Sequence, residues 1–180
     1  MTEIKKDRKS AAAYVDFGYA QVEPNHLSAQ RTGQIYAQLP LADNLSQVEN
    51  GQFVKYDYAN LTDEGVADPR VNLSGDGEWM LVFNEVKPYD ARETAADYVM
   101  DSAAFGRPVP RVFKTNVGDI MTTNAINSNA GDITVGKELT VGNDGFLKVD
   151  AEPGAGMIWQ VAKVYDLADG QPAAKIIRIQ

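Results

Sequence analysis

The sequence contains no cysteine, and this absence excludes disulfide scaffolds, thiolate nucleophiles and cysteine metal sites. It contains one histidine, His26, so a mechanism or zinc site that needs several histidines is excluded as well. Basic residues are in the minority, 17 against 25 acidic ones, and the resulting net charge of -8 argues against a nucleic-acid partner. No apolar run is longer than five residues, far below the ~20 that a membrane-spanning helix needs, so no membrane partner is expected.

The first 30 residues show neither the alternation of a strand nor the stripe of an amphipathic helix. Four of the basic residues lie within the first nine positions, and no long apolar stretch follows them, so we expect no secretory signal. We predict an extended arm whose cations and aromatic rings contact a partner. The aromatic residues could equally pack into the protein's own core, and the residues alone leave both options open. The candidate contact residues of the arm are Lys5, Lys6, Arg8, Lys9, Tyr14, Phe17 and Tyr19.

Short β-prone runs separated by turn residues dominate the chain from residue 32 onward. A first run at 34–39 ends at Pro40, which cannot donate to a ladder, and an aromatic run follows at 53–58. The strongest apolar run, Trp-Met-Leu-Val-Phe at 79–83, is short and aromatic. Such a run predicts a strand that is buried on both faces.

A single helix is predicted, beginning at a capping box formed by Asp90 and Glu93 and ending before Gly106. Beyond it the pattern returns to β structure and predicts two hairpins. The first occupies 133–149, with period-two alternation leading into a Gly-Asn-Asp-Gly turn, and the second occupies 157–179 around an Asp-Gly turn.

Strands that recur about every eight to twelve residues, with one helix among them, are typical of all-β sandwiches and small barrels. The predicted fold class is therefore mainly β, with small β-barrel or sandwich domains, one short helix and an extended N-terminal arm. We divide the chain into the arm at 1–30, an N-terminal β-rich domain with the helix at 31–115, and a C-terminal β-barrel-like domain at 116–180.

Acidic residues supply the only candidate reactive groups, and none forms a specific motif. Glu93, Asp97 and Asp101 would line one edge of the predicted helix, where a solvated face is the preferred interpretation over a calcium or magnesium site. Glu78 and Glu85 flank the 79–83 strand and could act as a glycosidase pair, although almost any acidic protein offers this spacing. We therefore predict no catalytic residue, no metal site, no cofactor and no enzymatic activity.

Several segments carry a family resemblance. The run Val-Gly-Asp-Ile at 117–120 leads into a strand, 133–145 combines alternation with a tight turn, and 159–175 forms a lysine-valine-aromatic hairpin around Asp-Gly. These segments resemble tailed-bacteriophage head proteins of the decoration, or cement, type. The stretches 48–54 and 77–86 are similar to uncharacterised proteins that are encoded among phage structural genes.

The resemblance implies a structural virion protein that binds the outer surface of a bacteriophage major capsid shell and stabilises it. The major capsid protein would be its partner, with further copies of the chain itself as a homo-oligomer. The protein would be made in the host bacterial cytoplasm and would lie on the capsid exterior. Such a protein needs a rigid β body and an adhesive patch or arm, and an arm that orders on docking fits the first 30 residues.

The alternative function is a carbohydrate-binding or host-attachment module at the base of a head fibre. Its support is the aromatic content, with Trp79 and Trp159 as a platform on which a sugar could stack. Both tryptophans lie within the most apolar runs, so core packing is the role predicted for them.

Overall fold

The computed structural model describes residues 10–16, 19–31, 37–75, 77–84, 99–101, 108–149 and 156–180. Within them the fold is mainly β with almost no helix, which confirms the predicted fold class. The helical elements described are α1 (Ser28–Arg31) and a 3-10 turn at Ala130–Asp132. The strands are β1 (Val22–His26), β2 (Ala37–Gln38), β3 (Gln47–Glu49), β4 (Phe53–Asp57), β5 (Arg70–Asn72), β6 (Met80–Val82), β7 (Val99–Asp101), β8 (Arg111–Phe113), β9 (Ile120–Thr123), β10 (Glu138–Val141), β11 (Leu147–Val149), β12 (Trp159–Asp166) and β13 (Pro172–Arg178).

Six strands form an antiparallel sheet in the order β1-β9-β13-β12-β10-β11. After β9 the chain returns to the far edge of the sheet, where Ile126 forms a parallel bridge with Leu147 of β11. The backbone N–H of Asn127 donates to the Leu147 carbonyl at 2.6 Å, and the Leu147 N–H donates to the Ala125 carbonyl at 3.3 Å. This contact curls the sheet into a half-barrel.

Both predicted hairpins belong to the half-barrel. The pair β12–β13 turns at Gly170 (φ +82°) as expected, and β10–β11 turns at Gly145 (φ +79°). The first hairpin is shorter than the alternation at 133–149 predicted, because Gly136 takes φ +86° and makes a turn just before β10 begins at Glu138. A residue with positive φ cannot continue a strand, so the alternation before Gly136 does not become part of the ladder.

Five further strands form a second sheet in the order β2-β8-β6-β4-β5, and β3 pairs with β7 separately. The central strand β6 is buried on both faces, as the run at 79–83 predicted. Leu81 points into the core shared with the half-barrel, whereas Met80 and Val82 join a second cluster on the opposite face. Side-chain alternation along the strand accounts for this division.

The predicted helix is wrong at its C-terminal end. Residues 99–101 form β7, an antiparallel partner of β3, so Asp101 does not lie on a helical edge with Glu93 and Asp97. The ladder with β3 supplies backbone hydrogen bonds that local helix propensity did not anticipate. The remainder of the predicted helix, 85–98 and 102–107, lies outside the described residues.

One hydrophobic cluster lies between the two sheets and crosses the boundary that we drew near residue 115. Phe53 and Trp159, from opposite sides of that boundary, pack with ring centroids 6.0 Å apart. The two predicted domains thus share a core, and its members include Phe53, Leu81, Phe83, Phe113, Met121, Leu139, Leu147, Trp159 and Ile176.

Two glycines let the sheets approach each other closely. A Cβ on Gly145 would lie 2.3 Å from the Phe53 carbonyl oxygen, and the Phe53 N–H donates to the Gly145 carbonyl at 2.7 Å. A Cβ on Gly51 would lie 2.5 Å from the Ala125 Cβ. Because any side chain would collide with backbone or with a buried methyl group, glycine is required at both contacts.

The described part of the predicted arm packs onto the body of the protein. Strand β1 is an edge strand of the half-barrel and pairs with β9. Ahead of it, the buried carboxylate of Glu49 accepts backbone hydrogen bonds from Ala11 at 2.9 Å and Ala20 at 3.2 Å. The boundary at residue 30 therefore does not separate an arm from the β structure, because residues 22–26 complete the ladder.

Candidate functional site

The contact residues predicted for the arm divide into described and undescribed positions. Tyr14 is only 3% exposed and packs in the shared core, and burial, aided by the carboxylates of Asp166 and Asp16, raises its pKa. Of the two options that the sequence left open for Tyr14, the structure shows packing into the protein's own core. Tyr19 is half-buried. The other five candidates, Lys5, Lys6, Arg8, Lys9 and Phe17, lie outside the described residues.

The two tryptophans do not form a common platform. Trp159 is completely buried in the shared core, as predicted. Trp79 is half-buried against that core, and the ammonium of Lys55 lies 4.6 Å from the centre of its ring. One face of the indole is thus covered by a cation, a contact that links β4 to the residue that precedes the neighbouring strand β6.

Only part of the acidic candidates falls within the described residues. Glu78 is described and exposed, whereas its proposed glycosidase partner Glu85 lies outside the described residues. His26 is exposed at the end of β1. Among the residues described, no group of three or more histidine or acidic side chains could hold a metal ion. In the same part of the chain, no helix is long and apolar enough to cross a membrane.

A surface pocket of about 250 Å³ opens at one end of the five-stranded sheet. It is built by side chains from three neighbouring strands and by the turn that precedes β6. Its lining residues are Tyr56, Tyr58, Gly77, Glu78, Met80 and Lys114.

Side-chain alternation explains why these residues meet. In β4, Val54 and Tyr56 point away from the shared core, and Tyr58, two residues further along, continues that row. In β6, Met80 points to the same face. In β8, Val112 points there, and Lys114 extends its row beyond the strand. The pocket is therefore the open, solvent-facing end of the second hydrophobic cluster.

The turn before β6 is held tightly against β4. A Cβ on Gly75 would lie 1.8 Å from the Tyr56 carbonyl oxygen, so a glycine is required for the turn to approach this closely. Gly77 then takes φ +138°, a conformation that favours glycine, and places Glu78 at the rim of the pocket.

The pocket has an aromatic wall and a charged rim. The rings of Tyr56 and Tyr58 lie 5.1 Å apart and are tilted by 48°. Tyr56 is 8% exposed and forms the base of the wall, whereas Tyr58 is 60% exposed and presents its ring to solvent. At the rim the Lys114 ammonium lies 2.5 Å from the Glu78 carboxylate. The site thus combines apolar surface with a charged hydrogen-bond donor and a charged acceptor at its rim.

A short hairpin at residues 60–68, here called the tip hairpin, follows Tyr58 closely. Internal hydrogen bonds close it: the Thr62 N–H donates to the Val66 carbonyl at 2.8 Å, and the Asp68 N–H donates to the Asn60 carbonyl at 2.9 Å. Its apolar side chains point outward, with Leu61 59% and Val66 61% exposed. Two exposed apolar side chains on one hydrogen-bonded hairpin make the tip hairpin a candidate interaction surface.

Sequence reasoning recognised the aromatic run at 53–58 but assigned no site to it. The missing step was the strand register, which brings Lys114 of a distant segment next to Glu78. Leu61 and Val66 lie among Asn60, Asp63, Gly65 and Asp68, turn-forming residues that are typical of a polar loop. Isolated apolar residues within such a loop were the one signal that could have pointed to the tip hairpin.

The chain was compared with family models, with curated proteins and with solved structures. None of the three comparisons found a match.

Proposed function

We propose that the chain is a non-enzymatic structural protein of a bacteriophage virion. It binds the outer surface of the major capsid shell and stabilises that shell. The resemblance of segments 117–120, 133–145 and 159–175 to decoration proteins supports this proposal. The observation that carries it is the tip hairpin, an ordered loop that holds Leu61 and Val66 about 60% exposed.

The tip hairpin suits adhesion because its shape exists before binding. Its internal hydrogen bonds already fix the backbone, so little conformational entropy is lost when it docks. Burying the exposed parts of Leu61 and Val66 contributes about 1–2 kcal/mol for each side chain. The acidic neighbours Asp63 and Glu64 are exposed and favour a basic rim on the shell protein.

The rest of the molecule supplies stiffness. The two sheets share one core and meet at contacts that only glycine permits, so a load applied at the tip hairpin is transmitted to the half-barrel. Copies of the chain at neighbouring lattice positions, alone or as a homo-oligomer, would tie adjacent shell subunits together. In this proposal the protein is made in the host bacterial cytoplasm and resides on the capsid exterior.

A cosedimentation experiment with capsid shells that lack this chain tests the proposal. The unchanged protein should sediment with the shells and raise their melting temperature, and the double variant Leu61→Ser/Val66→Ser should lose both effects. The chain offers a matched control in Val117→Ser/Val135→Ser, which alters valines that are 66% and 68% exposed on the half-barrel side. The proposal fails if the unchanged protein does not sediment with shells, or if both double variants bind equally well.

A further inference from the structure

We infer that the pocket formed by Tyr56, Tyr58, Glu78, Met80 and Lys114 binds one neutral pyranose residue of a glycan. The inference rests on the pocket alone and is independent of capsid binding through the tip hairpin.

The aromatic wall suits the apolar face of a sugar ring. A pyranose presents C–H groups on one face, and an exposed aromatic ring offers a flat surface of matching size. Tyr58 supplies that surface because 60% of its side chain is exposed, and the buried ring of Tyr56, 5.1 Å away, supports it from behind. Met80 completes an apolar floor that can adapt to the edge of the ring.

The rim suits the hydroxyl groups of the same sugar. The Glu78 carboxylate accepts hydrogen bonds from hydroxyls, and the Lys114 ammonium donates to hydroxyl oxygens. The two groups are 49% and 42% exposed, so both have directions open to a ligand while they remain paired. The carboxylate and the ammonium, lying side by side, can therefore bind two neighbouring hydroxyl groups of one sugar, with Glu78 accepting a hydrogen bond and Lys114 donating one.

The ion pair between Glu78 and Lys114 also selects against other classes of ligand. Within the pocket lining, an anionic ligand would meet the Glu78 carboxylate and a cationic one would meet the Lys114 ammonium, so the lining itself favours neither sign of charge. A wholly apolar ligand would cover the ion pair without offering it hydrogen bonds, which is unfavourable. The pocket volume of about 250 Å³ lies below the ~300–1,000 Å³ of pockets that enclose drug-sized ligands, which favours a single sugar ring over a long oligosaccharide.

An NMR titration of the full chain tests the inference, using the methyl glycosides of glucose, galactose, mannose, N-acetylglucosamine and N-acetylgalactosamine as probes. At least one glycoside should shift the backbone amide signals of Gly77, Glu78 and Lys114. Tyr58→Ala should raise the dissociation constant about tenfold, and Tyr58→Phe, which retains the ring, should not. Because Tyr58 is largely exposed, neither variant is expected to disturb folding.

Two further variants separate this site from its surroundings. Glu78→Gln breaks the ion pair and should weaken binding of the same glycoside, whereas Leu61→Ser/Val66→Ser in the tip hairpin should leave its affinity unchanged. The inference is overturned if no glycoside shifts the pocket amides at about 50 mM, far above a weak dissociation constant of ~1 mM. It is also overturned if Tyr58→Ala binds as well as the unchanged chain. Loss of capsid binding with glycoside binding retained would refute only the proposed function.

Discussion

Glu49 offers the sharpest test of how the N-terminal segment is attached. Its carboxylate is 1% exposed, and its two oxygens accept backbone hydrogen bonds from Ala11 and Ala20. In Glu49→Gln one of these oxygens becomes an amide NH₂ group, which can only donate, so one backbone N–H faces another donor. A buried donor left unsatisfied costs about 1–3 kcal/mol.

The change should be visible in thermal unfolding. For a chain of this size 1 kcal/mol corresponds to about 2–4 °C, so Glu49→Gln should lower the melting temperature by about 2–12 °C. Glu49→Ala removes both acceptors and leaves a void, and we expect a loss of ~4 kcal/mol. Glu78→Gln is the matched control because its carboxylate is half-exposed in a surface pair, where about 0–1 kcal/mol is expected.

Amide hydrogen exchange identifies the cause of the destabilisation. At least one of the Ala11 and Ala20 amide protons should exchange faster in Glu49→Gln, and those of β12 and β13 should change only as far as global stability does. Equal melting temperatures for the Glu49→Gln and Glu78→Gln variants would refute the reasoning. Unchanged exchange at both alanines would refute it as well.

Three further predictions concern stability. Gly145→Ala should destabilise by about 2–4 kcal/mol in urea unfolding, since the new Cβ meets the Phe53 carbonyl oxygen. Gly170→Ala, with a similar φ and nothing within 4 Å, should lose only about 1–2 kcal/mol, and equal losses would contradict the proposed sheet contact. Burial raises the pKa of Tyr14 above 10.0, so the folded state retains a phenol proton that the unfolded chain releases. Stability should therefore be complete below pH 10 and fall as the pH rises beyond it, and Tyr14→Phe should show a shallower decline of melting temperature across this range. Deletion of residues 1–20 removes Tyr14 from the core and leaves Glu49 without two donors, so we expect the cooperative melting transition to be lost; an unchanged transition would mean that the segment is dispensable for folding.

Local patterns predicted the parts of the fold that depend on neighbours in sequence. The Asp-Gly turn between β12 and β13 can take positive φ at Gly170, and burial alternates at 159–161 in β12 and at 174–177 in β13. Strand β6 was recognised because its residues are apolar without interruption. In each case the deciding interactions lie within about ten residues, so turn chemistry and hydrophobic pattern are sufficient.

Long-range pairing accounts for what the sequence did not predict. Strand β7 pairs with β3 some fifty residues earlier, and no local feature at 99–101 indicates that partner. Strand β1 likewise pairs with β9, almost a hundred residues later in the chain. Part of the expected arm is therefore an edge strand of the sheet. The candidate pocket depends on the same kind of contact, since Lys114 reaches Glu78 only through the register of β8 and β6.

The sequence by itself determined the β character of this protein, its tight turns and its lack of cysteine, because residue type and short-range spacing control those properties. Only the tertiary structure decided which strands are neighbours, that Tyr14 is enclosed in the core, and that Tyr58 and the tip hairpin face solvent. Sheet order and burial arise from packing between segments far apart in the chain, where many pairings satisfy the same local pattern and the shared core selects one of them.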